Sequence, residues 1–586
     1  MTGEFKQEHE LGVELKPVAF WQLHKNPILL RYLRSRLRWN GLAAALILTL
    51  VISAFTLVIS YNGAIRFSFE SDVNAYRAAF LPVFLIQVII MLFLGTGSVA
   101  SGITQEYEDG MVDYQRLTPM SPMAKILGYL FGLPIREWFL FAVTSAFIGI
   151  IVVKGQVPME SVWRVYSVFF LSIILYHLMA LVVVHSMKKK RVAGRVIQLL
   201  VVVLYLVFPL LSQFGLVFFE YLTVRPILKE NMLEYIPKGA NMRRLLDLDS
   251  GATTVPFFDQ QLRAWSFSMI IMSSLTVSFL LMLCRRWKDV TSHLMSKPFA
   301  LIFFGFFMFF LIGNTLPIAK VGEMSITKNF IEIREKSLLD RIEHFKDREP
   351  LRRAFETKLK TYREKTKVTN ATAADAPVGQ TVFGSICVLF ACLVVYIVTP
   401  RNEKYLLGLR RARNLKKKWI PFHWDEAPGL LVTLCVIVML TVTLFCFSTT
   451  LYSAPTMPAR IRGLIPFIPI VCLFAAVVVL VFYLVYEAWE NKGLFLLLLF
   501  IWVLPIMVAL VIAVQSNHYP TLVWFSSISP IAAYGYGMSD WVFLPEKEAF
   551  FCSFGLQVLI GGFAALALLR KKRSEQKVIL ENLVDD

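Results

Sequence analysis

Residues 42–61 read LAAALILTLVISAFTLVISY, a run without a charged side chain. About twenty residues at about 1.5 Å each make a helix about 30 Å long, which matches the hydrocarbon thickness of a bilayer. No water is present there to serve backbone N–H and C=O groups, so such a run has to be helical. Working outward, similar runs recur near 79–102, 138–153, 165–186, 197–219, 265–284, 299–318, 381–399, 429–450, 464–486, 494–515 and 549–569. The expected fold is an all-α polytopic membrane protein, with about twelve transmembrane helices in two six-helix halves.

Composition agrees with that reading. Of the 586 residues, 56% are hydrophobic, and the mean hydropathy is +0.61. A soluble domain cannot cover so much apolar surface with its own polar residues. The net charge of +19 comes in short blocks at the ends of apolar runs, at 188–191, 285–286 and 570–573. That placement orients spans, and no basic stripe interleaved with aromatics points to nucleic acid. Roughly 33 of the 60 Lys and Arg fall in segments that are cytoplasmic if the N-terminus is. An odd number of spans would move either residues 401–418 or 570–573 to the wrong side. The expected location is therefore the cell (inner) membrane, with both termini cytoplasmic. The first forty or so residues are polar and mixed in charge, unlike a signal peptide.

The expected organisation is a cytoplasmic N-terminal segment (1–41), a first six-span half (42–290), a second half (291–570) and a cytoplasmic tail (571–586). The N-terminal segment ends in NPILLRYLRSRLRWNG, residues 26–41. Leu29, Leu30, Leu33 and Leu37 recur at helical spacing beside Arg31, Arg34, Arg36 and Arg38, as in a helix lying in the membrane plane. A basic flank that orients the first span is the plainer alternative. The halves share a layout, which fits an internal repeat or coincidence among apolar segments. Between 319 and 380, acids and bases alternate around two apolar stripes broken at Pro350, which predicts an outer helical hairpin.

Several chemistries lack their residues. Ion-coupled carriers need ionisable groups inside the membrane, and the centres of the apolar runs hold no Asp, Glu, Lys or Arg. His177 is the one clear mid-run ionisable group, and a hydrogen bond to a neighbouring helix accounts for it. Gln198, Gln213, Asn314 and Gln557 suit contacts between helices. There is no GxxxxGK[ST] phosphate loop, no HExxH and no GxSxG. The seven cysteines lie in or beside apolar runs without a CxxC or Cys/His cluster. The expectation is no catalytic, metal or cofactor residue on this chain.

Residues 106–132, EYEDGMVDYQRLTPMSPMAKILGYLFG, interrupt two runs with a pattern of their own. Gly110 allows a bend, Thr118-Pro119 and Ser121-Pro122 impose two turns, and Ser121 can cap a helix that begins at Pro122. The order of Glu106, Gly110, an acid, Leu-Thr-Pro, Ser-Pro and Ile-Leu-Gly resembles the coupling segment (here 104–132) of type-2 ABC exporter permeases. Residues 26–38 are similar to the elbow helix of that family. Many members carry Lys after Ile-Leu-Gly, where this chain has Tyr129. The motif resemblance covers residues 26–132, and beyond them it rests on span layout.

The resemblance implies a permease without catalytic residues, driven by a separate ATPase dimer that holds the ATP. It assigns contact with that partner to Glu106, Gly110, Asp113, Arg116, Thr118, Pro119, Ser121 and Pro122. Residues 401–426 occupy the equivalent place in the second half without the Thr-Pro/Ser-Pro signature. They read either as a second contact or as a basic membrane-surface helix. An ion-coupled secondary transporter and a membrane-embedded transferase are the alternative functions. The latter would need acids at a membrane edge, for which Asp540, Glu546 and Glu548 are scattered candidates. No charged pocket is legible in the spans, which favours an apolar or amphipathic substrate.

Overall fold

The computed structural model describes residues 22–68, 71–186, 190–213, 216–235, 254–321, 356, 360, 371–455, 457, 459–515, 519–537 and 544–581. Most of the expected hairpin at 319–380 falls outside them, as do Asp540 and most of the segment before residue 26. Among the described residues the protein is helical apart from one short β-hairpin, and it is a multi-pass membrane protein. Among the described residues, ten helices are long and apolar enough to cross a bilayer. The apolar part of the helix after residue 190, Val196–Ser212, is shorter than these.

One of the ten, Ile465–Ile512, has 48 residues and covers two of the expected runs. A straight helix of that length would extend about 72 Å, more than twice the hydrocarbon thickness. Glu490 interrupts it with φ 53° and ψ −145°. Phe474 and Val478 line one small cavity together with Trp502, which a straight helix would hold about 36 Å from Val478. The chain therefore reverses direction around Glu490.

By contacts the chain forms two compact units: Met1–Tyr205 with Leu222–Thr253 and Ala264–Leu294, and Leu206–Tyr221 with Thr254–Arg263 and Met295–Asp586. In the first unit the apolar stretch Asp72–Glu108 contains a π-helical turn, Ile89–Gly95. Such a turn strands backbone carbonyls. His177 Nε2 lies 3.1 Å from the Met91 carbonyl oxygen inside it, so the ring donates from Nε2 to an adjacent helix. Gly95 leaves room for that approach, since a Cβ there would sit 2.9 Å from His177 Nε2. Arg77 caps the C-terminal end of Ile135–Lys154, donating to Gly155 O at 2.7 Å and Gln156 O at 2.9 Å. A cation suits the exposed carbonyls there.

The second unit has its own π-helical turn, Leu497–Val503, and Ser529 Oγ donates to Trp502 O inside it at 2.8 Å. Its β-hairpin pairs Thr254–Phe257 with Gln260–Arg263, between the expected apolar runs at 197–219 and 265–284. Phe257 and Phe258 pack on Phe309, and Phe258 N donates to Gly313 O at 2.7 Å. Asn314 Nδ2 donates to Pro256 O at 3.0 Å. Beside the reversal, Lys572 pairs with Glu487 at 2.8 Å, and Lys571 Nζ reaches the Glu487 and Ala488 carbonyls.

The reversal can be measured. With the native cysteines replaced, nitroxide labels at the exposed Leu473 and Val503 would stand about 45 Å apart on a straight helix. Pulsed electron resonance is expected to read well under half of that.

Candidate functional site

The helix Pro27–Arg36 begins with Asn26 as its cap and Pro27 in its first turn. The Asn26 side chain accepts from Ile28 N at 3.0 Å, and its Nδ2 donates to Ala124 O at 2.7 Å. Ala124 is in the first turn of Pro122–Gly132, a helix capped by Ser121 Oγ accepting from Ala124 N at 3.1 Å. The two helices meet at Gly128 and Gly132. A Cβ at Gly128 would sit 2.8 Å from Asn26 Oδ1 and 2.9 Å from the Ile28 Cβ. At Gly132 it would sit 2.8 Å from the Tyr32 ring. Two glycines four apart form one small-residue face, the device by which helices approach closely. The leucines of Pro27–Arg36 are only half-buried, and the buried contact is made by Ile28 and Tyr32.

Glu106, near the end of Thr96–Glu108, lies buried against this junction. Tyr32 Oη donates to its Oε1, where Arg31 also forms an ion pair. Tyr129 Oη lies 2.7 Å from Glu106 Oε2 and 2.7 Å from Gln115 Oε1. A phenol has one proton, so the Gln115 amide satisfies the cluster when turned to present its N–H₂ to Tyr129. Burial pushes the Tyr32 hydroxyl up to about 12 against the opposing pull of Arg31 and then Arg36. Burial likewise drives the Tyr129 hydroxyl upward. Both phenols therefore stay protonated donors at neutral pH.

Tyr129 also stacks on Trp287 at 5.7 Å, at the end of Ala264–Lys288. Arg116 and Lys125 lie over the same indole at 5.7 and 5.8 Å. Lys125 Nζ donates to Arg116 O at 3.2 Å, and its own affinity for a proton is lowered by desolvation and by Arg116. His185 meets both Trp287 and Tyr107. Ends of several helices thus converge on one aromatic and ionic knot.

The predicted contact residues divide into two sets. Glu106 faces inward. Arg116 is largely covered and pairs with Asp113 at 2.5 Å. Thr118 Oγ1 donates to Gln115 O at 2.6 Å, and Ser121 and Pro122 start the next helix. Gly110 sits in the left-handed region at φ 70°, between Thr96–Glu108 and Met111–Leu117. Asp113 and Pro119 are exposed. Of the four arginines expected on an elbow helix, Arg31 and Arg36 turn toward Tyr32, at 4.8 and 5.6 Å from its ring, while Arg34 and Arg38 are exposed.

Sequence reasoning passed over Met111, Tyr114 and Leu117, which lie along one side of their short helix. Tyr114 is 66% and Leu117 85% exposed. Asp109 and Asp113 stand beside them, also exposed. The spacing of three was readable, as was Gly128-x-x-x-Gly132. Within residues 401–426, helix Asn402–Asn414 is followed by a loop whose Trp424 and Asp425 carbonyls accept from the buried Lys297 Nζ. Trp419 there is 81% exposed. Among the described residues no His, Cys, Asp and Glu group could hold a metal ion. Compared with protein-family models, curated proteins and solved structures, the chain matches none.

Two substitutions test the junction. Gly128→Ala is expected to destabilise the protein by about 1–3 kcal/mol through overpacking. Tyr32→Phe is expected to cost about as much by removing a donor from a buried carboxylate. Gly63→Ala, where nothing lies within 4 Å of the added methyl, should leave the melting temperature unchanged or higher. Thermal unfolding in detergent reads all three.

Proposed function

We propose that this chain is the membrane-spanning permease subunit of an ATP-driven exporter of the type-2 ABC class, working with a separate ATPase pair that holds the ATP. The observation that carries the reading is the exposed apolar row of Met111, Tyr114 and Leu117 beside Asp109 and Asp113. A row of large apolar side chains with an acidic border suits a groove on a soluble partner. Behind it, Glu106, Tyr129 and Trp287 join the segment to two apolar helices, so a push on the row moves helix ends rather than a slack loop. In this reading Gly110, Asp113 and Pro119 belong to the contact, and Arg116, Thr118, Ser121 and Pro122 keep its shape. Glu106 braces it from within.

The helix Pro27–Arg36 serves as the interfacial elbow, with Arg34 and Arg38 toward lipid phosphates. Counting the two arms of the reversal at Glu490 separately, together with Lys190–Gln213, yields twelve membrane crossings. Both termini then lie on the cytoplasmic side of the cell (inner) membrane. Tyr129 stands where many members of the family carry lysine, and Arg31 is the cation that pairs with Glu106 here.

The test is retention of an ATPase by the affinity-tagged chain purified from its native membranes, scored by peptides of a phosphate-loop ATPase and by co-eluting ATP hydrolysis. Leu117→Asp is expected to lower retention at least tenfold, equivalent to about 1.4 kcal/mol. Asp113→Lys should weaken retention in a manner that fades as salt rises. Both sites are exposed, and a surface pair such as Asp113 with Arg116 is worth at most about 1 kcal/mol, so the melting temperature should fall only slightly. Equal recovery from wild type and Leu117→Asp would remove the row from the contact.

A further inference from the structure

Above Glu106 on the same helix, a polar stripe runs through Gly97, Ser98, Ser101 and Gln105. With Gln198 and Glu137 it lines an open groove of about 570 Å³ that lies wholly within the first unit. Gly97 admits the Gln198 amide, because a Cβ there would sit 2.6 Å from Gln198 Nε2. Glu137 is fully buried at the start of Ile135–Lys154. Sequence reading placed it just outside the apolar run at 138–153, which is why no charged pocket was expected.

The partners of Glu137 are lopsided. Ser98 Oγ donates to Oε1 at 2.7 Å, and Arg136 Nη2 reaches the same oxygen at 3.1 Å. Oε2 is buried with no hydrogen-bond partner among the described residues. An ionised carboxylate only accepts, and a buried acceptor left unmet is unfavourable. The missing piece is a donor. Arg136 is half exposed and cannot fill both oxygens from where it stands.

We propose that this groove binds organic ammonium compounds, with the half-exposed Arg136 swinging aside so that an N–H of a primary or secondary amine reaches the buried Glu137 Oε2. The hydroxyl and amide groups of Ser101, Gln105 and Gln198 meet the rest of a polar head, and the apolar Leu94 edge takes an attached hydrocarbon. The ligand class is an amphiphilic amine. A quaternary ammonium carries charge without an N–H and fits less well. As a statement about exported substrate this rests on the permease reading, but binding itself requires neither nucleotide nor ATPase.

The experiment uses the full chain in lipid nanodiscs and dansylcadaverine, a fluorescent amphiphile with a primary amine, followed by anisotropy. Saturable binding is expected, at least tenfold tighter than that of its N-acetylated derivative, and at least tenfold weaker in Glu137→Gln. Ser101→Leu is a second variant, at an exposed position whose hydroxyl bonds only its own helix. It should block the groove to a similar degree without touching Glu137. Absence of saturable binding, equal binding of amine and acetylated probe, or unchanged binding in Ser101→Leu would overturn the assignment and leave Oε2 to water. Retention of the ATPase is measured separately, so loss of one reading does not decide the other.

Discussion

A carboxylate withdrawn from water has to be met on both oxygens, and Glu106 imposes that requirement on everything around it. Desolvating such a charge costs several kcal/mol, and removing one partner of a buried pair typically costs about 3–5 kcal/mol. Tyr32 and Arg31 come from the helix before the first apolar run, and Tyr129 from the helix after the Thr-Pro/Ser-Pro turns. Meeting Glu106 therefore pins both helices to the end of Thr96–Glu108. Tyr129 extends the constraint to Trp287 by stacking. The exposed row of Met111, Tyr114 and Leu117 inherits its position from these internal bonds.

The apolar runs were legible because the bilayer sets strict rules on length, charge and backbone satisfaction. Even the pair at 464–486 and 494–515 could be separated by reading the polar residues 487–492 between them. Caps and turns were legible too: Ser121-Pro122 starts a helix, and Gly110 takes a positive φ. What the sequence concealed was partnership. Leucine spacing pointed to an apolar stripe on Pro27–Arg36, yet Ile28 and Tyr32 are buried because they face the two glycines. Glu106 could be assigned outward from its charge alone, since nothing local reveals that a tyrosine from each of two distant helices will cover it. Glu137 lies one residue before the run at 138–153, so nothing in the composition of that run pointed to it.

Among the described residues each unit contains one π-helical turn in an apolar stretch, and each turn has a carbonyl bonded by a side chain from elsewhere, His177 on Met91 and Ser529 on Trp502. A widened turn disturbs the regular ladder and leaves an acceptor that hydrocarbon cannot serve. The polar side chain is thus required by the backbone. This gives His177 a structural task that the neutral ring already performs, by donating from Nε2 to the Met91 carbonyl.

The reversal at Glu490 bears on how the chain is made. Only a few residues separate the helix ending near Ala488 from the one that resumes near Gly493. A connector so short cannot leave the first arm settled in lipid while the second waits in the insertion machinery. In the twelve-crossing reading, such a connector favours release of the two arms from the translocon as a pair packed on each other. Their hydrophobicity is then judged jointly, so a polar residue in one arm can be tolerated through burial against the other.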